Sequence, residues 1–391
     1  MNILSMTSDI EEEIIKIRRT IHQNPELSFQ EFETAKLIEH YLDRLSNIKV
    51  TRIGKTGIVG VLEGKQPSQK TLALRADIDA LPISETTGLP FASKIPGKMH
   101  ACGHDVHTSV LLGTANILSH LANEFTGTIK FIFQPAEEKL AGAKEMIKGG
   151  ALSNPKVDHI IGLHCWPEIP VGTIGIRKGT MFAASDMVTL KIKGKAGHAA
   201  HPHQVIDPIM ISAQVLMSLQ TIVSREIAPV DSAVLSFGQI KGGTAPNIIP
   251  DEVEISGTVR TIDIATRNSM PERIGRIAEN IAKGLRGEAE LIYSPGCGPV
   301  ISDEDLNQKL EVAVSRVLGE DKIVFLKTPS MGSEDFSFYL EEVPGMYFRI
   351  GTRNPDDPFI PLHSSNFKVE DKSITTGIPA LVAMVLEYFN G

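Results

Sequence analysis

The chain has 391 residues, 42% hydrophobic and 22% charged, with a net charge of −8, values ordinary for a globular protein of about two domains. The acidic surplus argues against a nucleic-acid or anionic-membrane partner, and no apolar run approaches the ~20 residues that cross a bilayer. Three cysteines form no disulfide framework, and with no secretion signal visible at the start they point to a reducing, cytoplasmic setting.

The first element reads as a helix from Ile10 to Ile21, with Ile10, Ile14, Ile17 and Ile21 on one stripe and Ser8 or Asp9 as its cap. Asn24-Pro25 breaks it. A second helix is expected over Glu31–Leu45, burying Phe32, Leu37, Tyr41 and Leu45. Short apolar runs of strand type follow at Gly57–Leu62, Thr71–Arg75, Thr128–Phe133, His159–Leu163 and Met346–Ile350, with helical patterns such as Thr108–Leu121 between several of them. Strands alternating with helices predict an α/β domain with a mostly parallel sheet covered on both faces.

The middle reads differently. Val188–Ile192 (strand), Asp207–Ile222 (helix), Ala233–Ile240 and Glu252–Thr261 (strands), Arg267–Leu285 (helix) and Ala289–Tyr293 (strand) spell βαββαβ, the ferredoxin-like order. The first of these helices is expected to bury Ile209, Leu216, Leu219 and Val223. A second, α+β domain over residues 186–293 thus interrupts a first domain made of 1–185 and 294–391, which closes with an apolar helix from Ile374 to Tyr388.

The chemistry-bearing residues cluster. Met99–His107 holds one thiol, three imidazoles and a carboxylate in nine residues, and Cys102 and His104 flank Gly103, where a bent backbone can aim both at one point. Thiolate and neutral imidazole are strong ligands of zinc-like ions; a buried cysteine beside surface histidines is the plainer alternative. Ligands of open α/β sheets bind beyond the carboxyl ends of the strands. Arg75–Asp79, Gln134–Glu138 and His164-Cys165 are placed at three such ends. Neighbouring Glu137 and Glu138 diverge, so one can bind metal while the other reaches a water; spacing alone does not choose between them.

Six motifs then occur in order: Arg75-Ala76-Asp77-Ile78-Asp79-Ala80-Leu81-Pro82, His100-Ala101-Cys102-Gly103-His104-Asp105-Val106-His107, Phe133-Gln134-Pro135-Ala136-Glu137-Glu138, Gly194-Lys195-Ala196-Gly197-His198, Asn247-Ile248-Ile249-Pro250-Asp251 and Gly332-Ser333-Glu334-Asp335-Phe336. Together they resemble the amidohydrolase branch of the M20 metallopeptidase family, which includes hippurate hydrolases, N-acyl amino acid deacylases and indole-acetyl amino acid hydrolases. The likeness runs from Arg18-Arg19-Thr20-Ile21-His22 to Leu362-His363-Ser364. It implies a zinc-peptidase-type α/β domain carrying an inserted lid and dimerisation domain. It also implies two divalent ions per subunit, held by Cys102, His104, Glu138, His164 and His363, with Glu137 as the general base. Taken alone, His363 reads as a surface-loop residue; only the resemblance makes it a ligand.

In related branches a metal-binding histidine stands two residues before an aspartate at the position of Asp77. Here Asp77 replaces it, and Asp79 is read as orienting a ligand or tuning the site, a catalytic part alongside Glu137 and His198. Asp77 as a ligand stays open. Cys102 favours zinc, cobalt or nickel over magnesium, with manganese admitted because family members vary. His100 and His107 are expected to orient ligands or carboxylates, and Glu334 and Asp335 to lie near the site. His40, His120 and His159 read as solvated or capping residues.

The resemblance implies metal-assisted amide hydrolysis, with Glu137 taking a proton from water held by the ions and passing it to the leaving amine. His198 would reach a partner subunit's site as an oxyanion donor, with His201 a weaker candidate, so a homodimer or higher homo-oligomer is expected. Asn247 and Arg260 are candidates for the free carboxylate of the substrate, a structural role standing equally open for both. The leading expectation is hydrolysis of N-acyl amino acids; the runner-up is a carboxypeptidase or aminopeptidase of short peptides. A non-catalytic metal-binding or sensing protein is a different class, against which Glu137 and the ligand set argue. A dinucleotide-dependent dehydrogenase ranks far lower, since no Gly-x-Gly-x-x-Gly follows an early strand.

Overall fold

The computed structural model describes residues 2–45, 47–66 and 70–391, which divide into two units. The first comprises the N-terminal stretch to Met181, Val300–Thr328 and Asp335–Gly391; the second comprises Phe182–Pro299 and Pro329–Glu334.

The first unit is built on an eight-stranded sheet in the order Ile48–Ile53, Gly57–Glu63, Thr128–Gln134, Thr71–Asp77, His159–Pro170, Gly345–Arg353, Ile174–Ile176, Ile323–Phe325. The four central strands run parallel; Gly57–Glu63 and Ile174–Ile176 join them antiparallel on either side, and beyond these Ile48–Ile53 pairs antiparallel and Ile323–Phe325 parallel. Every residue of Thr71–Asp77 and Thr128–Gln134 is buried. Successive side chains point to opposite faces, so both faces of the sheet are covered at its centre. The helices Ile3–Gln23, His104–His120 and Lys372–Asn390 pack on one another, and the middle one also lies on the central strands.

Two charged side chains sit inside those strands. Arg75 is fully buried and meets Asp77 at 2.7 Å and Asp335 at 2.9 Å. The Lys130 ammonium donates to the carbonyls of Ala151 and Ser153. Neither run looks interrupted in the sequence, because each charge is satisfied from a distant segment.

Several boundaries differ from the sequence expectation. The first helix begins at Ile3, with the Asn2 side chain accepting from the Ser5 N–H, and not near Ser8 or Asp9. The second buries Ala35, Ile38, Tyr41 and Leu42, while Phe32 is exposed. Two overlapping stripes share Tyr41, and only packing chooses between them. The third helix starts at His104 because Gly103, left-handed at φ 88°, turns the chain there. The strand from His159 continues to Pro170, paired to Gly345–Arg353, so His164 and Cys165 lie within it and not at its end.

The second unit has a four-stranded antiparallel sheet in the order Ala233–Gly242, Glu252–Thr261, Ala184–Lys193, Glu288–Cys297. Helices Pro208–Thr221 and Ile264–Gly284 pack on each other and on the sheet, giving βαββαβ along the chain. Glu252–Thr261 alternates buried and less buried positions, as a strand covered on one face does. In Pro208–Thr221 the buried stripe is Ile211, Ser212, Val215 and Leu219; Ile209 is exposed, and Leu216 and Val223 are half-buried. The helical period was right, but its phase is set by the sheet beneath.

Candidate metal centre

The site grows from four backbone features of the first unit. The strand Thr71–Asp77 delivers Asp77 and, two residues on, Asp79. Gly103 bends the chain between Cys102 and His104, and a Cβ there would meet Cys165 Cβ at 2.9 Å and Sγ at 3.0 Å, so the position needs glycine for both conformation and space. Glu137–Lys139 forms a single tight turn bracketed by Ala136 and Leu140, both left-handed at φ 51°. His363 is also left-handed, at φ 63°, and its N–H donates to the Ala101 carbonyl at 2.8 Å. Non-glycine residues adopt this region only when surrounding structure enforces it.

For the turn, the enforcing groups are two buried acids. Asp79 accepts from the Glu137 and Glu138 N–H groups, at 3.2 Å each. Glu31 accepts from the Ala136 N–H at 3.0 Å and is itself fixed by the Thr56 hydroxyl at 2.8 Å.

The five expected ligands converge. Cys102 Sγ lies 3.4 Å from His164 Nε2 and 3.3 Å from His363 Nε2. Glu138 Oε1 lies 3.4 Å from His363 Nε2 and 3.9 Å from His104 Nε2. Cys102, His104 and His164 form one set of donor atoms within 4.8 Å of one another; Cys102, Glu138 and His363 form a second. The thiol is the member they share.

The imidazoles are oriented to give up a lone pair. His104 Nδ1 donates to the Asp79 carbonyl at 2.8 Å and lies 3.2 Å from its carboxylate; His164 Nδ1 donates to the Cys165 carbonyl at 2.7 Å. With the proton on Nδ1, each Nε2 is a bare acceptor turned into the cluster. His104 Nε2 and Glu138 Oε1 are buried without a hydrogen-bond partner among the described residues. Such atoms are rare in folded proteins, and a cation would satisfy both, so the residues present fit a metal. The local field agrees. Carboxylate oxygens of Asp77, Asp79 and Glu138 each lie within 3.9 Å of a His104 ring nitrogen. That is the mark of a pocket that attracts positive charge. His164, disfavoured as a cation by burial and by His107 and His104, stays well below its ordinary value and neutral.

The remaining sequence candidates sort as follows. Asp77 binds Arg75 and, at 2.6 Å, His107 Nδ1. His107 Nε2 accepts the Cys165 N–H at 2.7 Å. His100, expected to orient a neighbour, has both ring nitrogens buried with no hydrogen-bond partner among the described residues, and burial pushes it down to about 4. Asp335 takes Arg75, the Gln134 amide and the Ala143 N–H on its carboxylate, while its own N–H donates to Glu137 Oε1 at 3.4 Å. His40 and His120 are exposed, and His159 pairs with the Tyr388 hydroxyl.

His198, Asn247 and Arg260 belong to the second unit, as does the buried Glu334. His198 pairs with Ile248 in a two-residue ladder, and the Asn247 carbonyl accepts the Ala199 N–H at 3.1 Å, so His198 and Asn247 are neighbours on one exposed loop pair. His198 Nδ1 accepts the Ala200 N–H at 3.1 Å, which leaves Nε2–H as an outward donor. His201 is exposed, its ring centroid 5.6 Å from that of His198. Arg260 is half-buried on a central strand, with Nη1 lacking a hydrogen-bond partner among the described residues.

Sequence reasoning missed Glu31, and it missed the work of Arg18, His22 and Asp105. Arg18 Nε and His22 Nδ1 both meet Asp105 Oδ2, at 2.7 and 2.9 Å, tying the first helix to the turn that bears His104. Their only signal is charge at buried helical positions, which needs the packing to be seen.

Residues 73–387 match peptidase family M20/M25/M40. The chain belongs to this family. It is therefore a hydrolase. It is 40% identical over 379 residues to the N-acetylcysteine deacetylase of Bacillus subtilis (strain 168), covering 96% of this chain and 97% of that protein. It is 39% identical over 386 residues to thermostable carboxypeptidase 2 of Saccharolobus solfataricus, covering 98% and 97% respectively. Among solved structures, the Bacillus subtilis YXEP protein, a dinuclear metal binding peptidase of the M20 family, superposes with a TM-score of 0.87 at 37% identity, covering 98% of this chain and 99% of that one. In this M20 chain, no helix among the described residues is long and apolar enough to cross a membrane.

Proposed function

We propose that this hydrolase carries two divalent ions per subunit and cleaves the amide bond of N-acyl amino acids. The observation that carries this reading is the pair of donor sets joined at Cys102: His104 and His164 on one side, Glu138 and His363 on the other. Ions held by these residues would supply Lewis acidity, lowering the pKa of a water and polarising the amide carbonyl. Glu137, on the turn fixed by Asp79 and Glu31, takes the proton from the water and returns it to the leaving amine. Asp79 acts as a positioning group, holding both that turn and the His104 ring. The thiolate in the donor set favours zinc, cobalt or nickel, with manganese admitted.

The proposed substrate contacts are residues of the second unit. His198 offers an Nε2–H donor for the oxyanion, and Asn247 and Arg260 are the candidates for the free carboxylate. In the proposed homodimer His198 serves the other subunit's site. None of the three cysteines is in a disulfide, in keeping with the proposed cytoplasmic location. The deacylase reading is supported by the N-acetylcysteine deacetylase relative. The carboxypeptidase relative supports peptide hydrolysis by the same machinery as the second reading.

A panel of N-acetyl amino acids, hippurate and dipeptides, assayed after metal reconstitution, separates the two readings. Beside it, Glu137→Gln should retain two equivalents of metal and lose at least ~10²–10⁴-fold in turnover. A variant that hydrolyses normally would show that the base is misassigned.

A further inference from the structure

Asp77, His104 and His107 form a further set of donor atoms within 4.8 Å of one another, and all three residues are buried. Taken as residue types alone, they form a possible third cation site. Their hydrogen bonds contradict this. His107 Nε2 accepts the Cys165 N–H at 2.7 Å, so its proton must sit on Nδ1, which donates to Asp77 Oδ1 at 2.6 Å. Neither ring nitrogen has a lone pair left for a metal. Asp77 Oδ2 is taken by Arg75 at 2.7 Å.

The same bonds form a continuous chain toward a ligand. Arg75 fixes Asp77, and Asp77 fixes His107. His107 then fixes the amide of Cys165, whose carbonyl accepts from His164 Nδ1 at 2.7 Å. The His107 and His164 rings also pack edge to face, with centroids 4.7 Å apart. His107 sits one helical turn beyond His104, so a single side chain couples the helix that bears one candidate ligand to the strand that bears another.

We propose that the Asp77–His107 pair is a positioning device for the metal centre: it sets the orientation and tautomer of His164 through Cys165 and does not itself bind an ion. This rests on the dinuclear reading above.

The test is competition between the protein and a chromophoric chelator for Zn²⁺, with stoichiometry and apo-protein melting recorded in parallel. His107→Leu should bind zinc about 10–100-fold more weakly, the loss typical when a ligand's supporting partner is removed, while still binding two equivalents. His107→Gln should recover much of that affinity, because its amide can both accept the Cys165 N–H and donate to Asp77. If His107→Leu does not fold, His107→Asn carries the test. It can keep the Asp77 bond but is too short to reach Cys165, and the same weakening is expected. Unchanged zinc affinity in a folded Leu or Asn variant would overturn the proposal. So would the loss of one zinc equivalent in the Leu and Gln variants alike, which would make His107 a ligand. Failure of the unaltered chain to bind a pair of zinc ions would be a separate result, overturning the dinuclear reading itself.

Discussion

Replacing Arg75 with methionine tests how the buried charges beneath the site are balanced. The Arg75 side chain is fully enclosed, as are those of its partners Asp77 and Asp335. Breaking a buried ion pair by removing one partner costs roughly 3–5 kcal/mol, because the remaining charge stays in a poorly solvating interior. Here two carboxylates lose their guanidinium at once. Each keeps other donors, however: His107 for Asp77, and the Gln134 amide with the Ala143 N–H for Asp335. Methionine also restores most of the lost volume. The lower end of the range applies, about 3 kcal/mol. Urea unfolding of the metal-free protein, followed by circular dichroism, reads this as a lower midpoint at unchanged slope. Adding Asp335→Asn to Arg75→Met removes one stranded charge and should recover part of the loss, so the two changes should be clearly non-additive. An Arg75→Met protein within about 0.5 kcal/mol of the parent, the range of an ordinary surface substitution, would refute this account.

Three other outcomes are expected. Asp186, buried on the first strand of the second unit, is held below the usual carboxylate range against its burial by Arg267, the Gly296 N–H and the Tyr293 hydroxyl. A depressed folded value stabilises above the unfolded value of about 3.9 and loses that stabilisation as pH falls through the folded one. Asp186→Asn should therefore be less stable near neutrality and show a flatter acid limb below about pH 4, as measured by unfolding across pH. Gly103→Ala should lose roughly 1–3 kcal/mol from the left-handed strain alone and bind metal more weakly, as Cys165 is pushed by the new Cβ; melting and chelator competition report the two effects separately. Dialysis against a strong chelator should lower the melting temperature, and returning metal at 1,000 times its Kd should restore about 4.1 kcal/mol.

The outline of the fold was legible because local pattern is enough for it. The apolar runs at Thr128–Gln134 and Gly345–Arg353, and the alternation in Glu252–Thr261, each reflect how many faces of a strand are covered. Phase was less legible than period. Phe32 and Ile209 lie on stripes the sequence permits but the packing leaves exposed. The buried Arg75 and Lys130 show the same limit, since each is tolerated in a central strand only because a distant segment satisfies it.

At the site, the sequence alone settled which residue types were available and roughly where they would emerge: a thiol and an imidazole across a glycine, and paired acids just past a strand. Those are properties of a few adjacent residues. Tertiary structure decided which atoms face one another. His363 joins Cys102 across 261 positions, the tautomers of His104, His107 and His164 follow from their hydrogen-bond partners, and His100 has no such bond among the described residues. Whether a histidine holds its lone pair for a cation or spends it on a backbone amide depends on groups brought together only when the sheet closes, and no local pattern encodes that.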